Sequence, residues 1–168
     1  GVENVIKINV DSNNLNYSSQ DGILYNKDKT ELIKAPRGLT INNLTLPDSL
    51  KVIDGTAFYS CKNITGTLTL NASLETIKPQ AFENCLGINK IIFNNNLKTI
   101  EYSAFLGCSN VEGTLIIPES ATNIGFQIFL GCGKIDKIKC RATSKPDGWN
   151  NDWKYGCKAN VEWGYTGN

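Results

Sequence analysis

The stretch Leu97–Pro118, LKTIEYSAFLGCSNVEGTLIIP, has close copies on both sides of it in a chain of 168 residues. Aligning them on the aromatic residue puts Phe58, Phe82, Phe105 and Phe129 in one column, at intervals of 24, 23 and 24 residues. A fixed period of this size marks a solenoid, in which each unit stacks on the one before. The other apolar residues keep constant offsets from the Phe. Leu50, Leu74, Leu97 and Ala121 stand eight residues before it, and Ile53, Ile77, Ile100 and Ile124 stand five before it. Cys61, Cys85, Cys108 and Cys132 follow three residues after, and Ile64, Ile88, Val111 and Ile135 three further on. An alternating pair closes each copy: Leu68 with Leu70, Ile91 with Phe93, Leu115 with Ile117, Ile138 with Cys140. Leu44 and Leu46 form the same pair ahead of the first Phe.

Alternation at period two describes a strand with one buried face. Each copy therefore supplies a short strand, a turn, and a compact AFxxC segment facing the strand across a thin core. One copy is too small to bury that core alone, so its stability must come from neighbouring coils. Successive strands then pair in parallel along the solenoid.

The pattern LxxIxxxAFxxCxxI followed by a short strand resembles the BspA-like leucine-rich repeats of bacterial surface proteins. The segment NLNYSSQDGILYNKDKTELIKAP at Asn14–Pro36 is similar to a hairpin-bearing variant of that repeat, and ATSKPDGWNNDWKYGC with VEWG is similar to the end of such arrays. The resemblance implies a leucine-rich repeat solenoid of α/β type, mainly β. It has a single curved parallel sheet, short helical or irregular segments on the opposite side, and an N-terminal β-hairpin. The fourth copy departs from the pattern, with Ala121 in the Leu column and Ile128 in place of Ala. These two exchanges compensate in volume.

By length the chain reads as one domain. Residues 1–43 form an opening coil with a hairpin insertion, 44–140 four regular repeats, and 141–168 an aromatic cap. Within the first part, Val5–Val10 (VIKINV) alternates and is expected to be a strand with Ile6, Ile8 and Val10 on one face. Ile23–Tyr25 and Glu31–Lys34, separated by Asn26–Thr30, read as a hairpin. The polar stretch Asp11–Gly22 reads as a turn, because Leu15 and Tyr17 occupy positions where a calcium loop needs oxygen ligands. Gly66 and Gly113 sit beside a single extra residue, read as a turn insertion that leaves the columns in register. Trp149, Trp153 and Trp163 cluster at the end, where an open solenoid needs rings to cover its last layer. The opening GVENV, with no initiator Met and no signal-like segment, reads as a mature or excised region.

Composition narrows the function. Lysine and arginine number 17 against 16 carboxylates, and a net charge of +1 argues against nucleic acid as a partner. There is no apolar run long enough for a membrane span. Histidine is absent, which removes Cys/His and Ser/His/Asp chemistry together with the commonest general base. The cysteines lack the close pairs of a zinc site and read as inert buried thiols, with a Cys140–Cys157 disulfide left open. The sequons at Asn16, Asn43, Asn63 and Asn71 are the number expected by chance in an asparagine-rich chain. No cofactor, metal site or enzymatic activity is expected.

Strand alternation places the candidate binding surface. If Leu44, Leu68, Ile91, Leu115 and Ile138 point inward, then Thr45, Thr69, Ile92, Ile116 and Lys139 point outward in a row. Asn43, Thr67, Lys90, Thr114 and Lys137 form a second row beside it. The expected ligand-binding residues are Thr45, Thr69, Ile92, Ile116 and Lys139, with Lys90. Isoleucines at the middle of a polar face have the form of a small hot spot. The family resemblance implies a secreted or cell-surface, non-catalytic module for protein interaction or adhesion. Such a module, expected as a monomer, binds a protein or glycan of a host or neighbouring cell. The alternatives are carbohydrate binding through the C-terminal aromatics and a structural spacer.

Overall fold

The computed structural model describes residues 4–168, so residues 1–3 of the expected first coil lie outside the description. Thirteen strands and no α-helix are assigned among these residues. The chain opens with a meander of β1 (Tyr17–Gln20), β2 (Ile23–Asn26) and β3 (Glu31–Lys34), antiparallel from strand to strand. It then winds in coils that lay down a narrow strand and a broad one in turn. The narrow strands are β5 (Val52–Ile53), β7 (Thr76–Ile77), β9 (Thr99–Ile100) and β11 (Asn123–Ile124). The broad wall comprises β4 (Ile41–Asn42), β6 (Ile64–Thr69), β8 (Ile88–Ile92), β10 (Glu112–Ile117), β12 (Lys134–Cys140) and β13 (Asn160–Trp163).

The Ile column thus builds its own ladder. Leu32, Ile53, Ile77, Ile100 and Ile124 stand in parallel register, and with the meander they form one seven-stranded sheet. This wall adds to the irregular segments expected opposite the broad wall, which are the turns over 55–60, 79–84, 102–107 and 126–131; two residues are too few for a period-two pattern to show. Between the walls the Phe rings stack coil on coil. Their centroids are 4.7, 5.2 and 5.9 Å apart from Phe58 to Phe129, close to the spacing of the strands themselves. Each corner is tightened by left-handed residues: Thr56, Gln80, Ser103 and Gln127 before the Phe, and Ser60, Asn84, Gly107 and Gly131 after it.

Side chains tie successive coils wherever a backbone carbonyl would be stranded in the core. The Cys85, Cys108 and Cys132 thiols donate to the Phe58, Phe82 and Phe105 carbonyls at 3.1–3.2 Å. The Leu-column carbonyls are met in the same way. Asn71 Nδ2 donates to Leu50, Asn94 Nδ2 to Leu74, Ser120 Oγ to Leu97 and Trp149 Nε1 to Ala121, all at 2.7–2.8 Å. Buried polar groups require such partners. Asn71 is consequently buried and closed to glycosylation. All six cysteines are buried free thiols, Cys140 and Cys157 included.

Several expectations are corrected. Val5–Val10 is not a strand: it crosses the N-terminal end on single backbone bonds such as Ile8 N–H to Gly22 O, and Ile6 is 66% exposed. Alternation alone does not make a strand without a ladder partner. The polar stretch Asp11–Gly22 contains β1, which forms because β2 offers it an edge. The C-terminal segment is more than a cap, for it winds a further coil. Trp149 pairs with Ile124 in parallel, Cys157 N–H bonds Lys154 O as Cys132 bonds Phe129, and Val161 pairs with Ile138. Trp149 and Trp153 lie inside it, 3% and 4% exposed.

The expected single sheet is divided as well. The broad wall forms two three-stranded parallel sheets, β4-β6-β8 and β10-β12-β13. The cause is countable. Three residues separate the two inward columns in Ile41–Leu44, Ile88–Ile91 and Ile135–Ile138, but four separate them in Ile64–Leu68 and Val111–Leu115. The extra residue comes with Gly66 or Gly113, at φ +78° and +75°, and it sits in the strand as a bulge, not in a turn. Where a coil with the extra residue is followed by one without it, β6 to β8 and β10 to β12, the ladder absorbs it with a register shift. Where a coil without it is followed by one that has it, the ladder thins. β4 and β6 share two register pairs and one isolated bridge, and β8 and β10 share none.

Candidate functional site

The outward rows of the broad wall stand where alternation puts them. Thr45 bridges to Thr69, Thr69 pairs with Ile92, and Ile116 pairs with Lys139; in the second row Thr67 pairs with Lys90. Ile92 is 43% exposed and Ile116 half-buried. These two residues meet at the gap between β8 and β10, where no backbone bond crosses. A cleft of about 290 Å³ opens there, lined by Lys90, Ile92, Phe93, Thr114, Ile116 and Arg141 among others. Phe93 forms part of its floor and sets its ring edge-on to Phe105, 5.9 Å between centroids at 89°. The structure therefore brings Ile92, Ile116 and Lys90 together, with Thr69 in register beside Ile92, and leaves Thr45 at the far edge of the wall.

The basic end of the rows differs from the sequence reading. Lys139 lies over the Tyr165 ring at 4.2 Å, Arg141 over the same ring at 5.6 Å, and Lys137 pairs with Glu162 at 3.8 Å. β13 continues both rows, opposing Glu162 to Lys139 and Asn160 to Lys137. Lys139 is thus engaged by the terminal coil, while Lys90 makes no ion pair among the described residues. Arg141 was missed because it follows β12, two coils from Ile92, and only the register of β10 against β12 carries it to the cleft.

Two other hollows compare poorly. One, about 800 Å³, lies against the N-terminal coil between Lys7 and Asn42. Another of about 540 Å³ lies on the narrow wall, where Tyr102 and Phe126, 50% and 41% exposed, stand one coil apart. Little in the sequence warns of this pair, since the same column holds Gly55 and Pro79 in earlier copies.

Burial holds the thiols out of reach of chemistry. It pushes Cys61 up to about 11, although the Lys34 and Arg37 charges pull the other way, and Cys132 and Cys140 up to about 12. Cys85 and Cys108 are raised by the same desolvation, with neighbouring thiols adding to it. Such thiols are poor nucleophiles. Among the described residues no group of three His, Cys, Asp or Glu side chains is placed to hold a metal ion, and no helix is long and apolar enough to cross a membrane.

Coils of constant period, a ladder of Ile, stacked Phe and a thiol column define a leucine-rich repeat solenoid. The sequence matches the BspA type Leucine rich repeat region in six copies over residues 34–146, and the chain belongs to that family. Among solved structures it is similar to the pneumococcal vaccine antigen PcpA, at 26% identity and a TM-score of 0.78 over 94% of this chain and 37% of that one. A leucine rich cell surface protein from Faecalibacterium prausnitzii is similar at 24% identity and 0.72, over 90% and 40%. A leucine-rich repeat protein from Eubacterium ventriosum is similar at 21% and 0.64, over 99% and 55%. The chain spans between about two fifths and just over half of the length of these structures. No protein of curated function matches it.

Proposed function

We propose that this chain is the protein-interaction section of a bacterial surface or secreted protein, without catalytic activity, and that it binds its partner on the broad wall. One observation carries the reading: Ile92, exposed, and Ile116, half-buried, line one cleft at the middle of a polar face. An apolar centre within a polar rim is the arrangement of an interaction hot spot. Membership of the BspA-type family supports it, as does the likeness to a cell surface protein and a vaccine antigen. Glycan stacking on the terminal tryptophans is disfavoured by the burial of Trp149 and Trp153.

The test is the double variant Ile92→Asp with Ile116→Asp. Capture of surface or matrix proteins by the immobilised chain should be lost while the melting temperature stays within a few degrees, because both side chains point out of the core. Unchanged capture by the folded variant would remove the broad wall as the site, and no capture by the native chain would favour the spacer reading.

A further inference from the structure

The cleft between β8 and β10 specifies the chemistry of what it holds. Its charged lining residues are Lys90 and Arg141, and no carboxylate lines it. The nearest carboxylates, Glu112 beside Lys90 and Glu119 beside Arg141, line adjoining hollows and form no ion pair with either cation. Ile92, Phe93 and Ile116 supply an apolar floor between the two cations. The three features lie on a diagonal across the wall, Lys90 and Ile92 on β8, Ile116 on β10 and Arg141 just past β12. Thr114 is in register with Lys137 and Ile117 with Cys140, so Arg141 stands at the level of Pro118, four residues beyond Thr114, and Lys90 holds in β8 the place that Thr114 holds in β10, one residue before the inward Ile91 and Leu115. Four residues of strand span about 13 Å and two strand spacings about 10 Å, and the isoleucines lie midway.

We infer that this cleft takes an extended acidic peptide segment with the pattern acidic–x–apolar–x–acidic, lying obliquely across the strands. In an extended chain the residues i, i+2 and i+4 share one face. The central apolar side chain then buries against Ile92 and Ile116, and the flanking carboxylates reach Lys90 and Arg141. Unlike charges across the rim favour such a segment and disfavour a basic one. The inference rests on the broad wall being the binding surface, and it adds the class of partner.

The experiment is selection from a displayed library of random 12-residue peptides on the immobilised full chain. The expected result is enrichment of the acidic–x–apolar–x–acidic pattern. A synthetic peptide of that pattern should lose about tenfold or more in affinity between 50 and 500 mM NaCl. Lys90→Glu with Arg141→Glu, checked for an unchanged melting temperature, should select basic–x–apolar–x–basic from the same library. Neutral or basic peptides enriched on the native chain and lost on Ile92→Asp with Ile116→Asp would overturn the inference and leave the broad-wall reading standing. Enrichment indifferent to the isoleucine variant would overturn both. An absence of enrichment, or the same pattern from the charge-reversed variant, would overturn the inference.

Discussion

The two walls of this solenoid are made by the same coils and obey different rules. On the narrow wall every strand has two residues, the register never shifts from Leu32 to Ile124, and the ladder is continuous. Its outward charges are paired from coil to coil, Lys78 with Asp54 at 2.8 Å and Lys98 with Glu75 at 3.1 Å. On the broad wall the spacing of the inward columns alternates, two bulges enter, the ladder stops between β8 and β10, and Lys90 faces that gap without an ion pair among the described residues. The difference teaches that regularity and recognition are divided between opposite sides of one repeat. The Ile, Phe and Cys columns set the period, and the broad wall carries the variation that the period permits.

If that division is right, perturbing the regular side costs stability, and the largest effect should come from alkali. A thiol ionises near pH 8.5 in an unfolded chain, but only near 11 at Cys61 and near 12 at Cys132 and Cys140 in the folded one. Between those values the unfolded state loses protons that the folded state keeps. Stability is therefore unaffected by these groups below about pH 8.5 and falls as pH rises toward 11. Each buried thiol contributes on the order of 1 kcal/mol over the first pH unit, and Cys85 and Cys108 shift in the same direction. The urea midpoint should drop steeply between pH 8 and 9.5, and a constant midpoint would show that the thiol column is hydrated.

Next in size is Phe105→Ala, which empties a site stacked between Phe82 and Phe129 and edged by Phe93. A loss of about 3–5 kcal/mol in denaturant titration is expected. A loss below about 1 kcal/mol would break the assignment of the Phe column to the core. The smallest effect sharpens the comparison from the other direction. Thr56 is β-branched and held at φ +54° in the corner, a conformation costing about 1–2 kcal/mol for a residue with a Cβ. Thr56→Gly removes that strain against a chain-entropy cost of about 0.5–1 kcal/mol. A net gain of up to about 1 kcal/mol should appear as a higher urea midpoint, and a loss would mean that the Thr56 side chain contributes more than its backbone costs.

How far the sequence could be read follows the same division. The regular side is legible because its columns repeat at fixed offsets, and the hairpin because its alternating runs flank a polar turn. The narrow ladder is not, since two-residue strands carry no periodicity of their own. The last coil hides because Trp149 and Trp153 replace small or aliphatic residues, although Gly156-Cys157 repeats Gly107-Cys108 and Gly131-Cys132 and could have revealed it. Of the candidate site, the outward rows follow from alternation alone. The gap and the arrival of Arg141 depend on how coils of unequal column spacing register against one another. The unequal spacings can be counted in the sequence, but their consequence appears only when the strands are paired.

Hydrogen exchange at peptide resolution tests the division of the walls most directly. In the narrow wall Glu101 N–H bonds Ile77 O and Gly125 N–H bonds Ile100 O, at 2.9 and 2.8 Å, so these amides should exchange only on global unfolding. Amides within residues 88–93 and 112–117 that face the gap should exchange faster by local opening. Uniform protection of both walls would contradict the account, because it would mean that a continuous ladder joins β8 to β10 and that the cleft is closed.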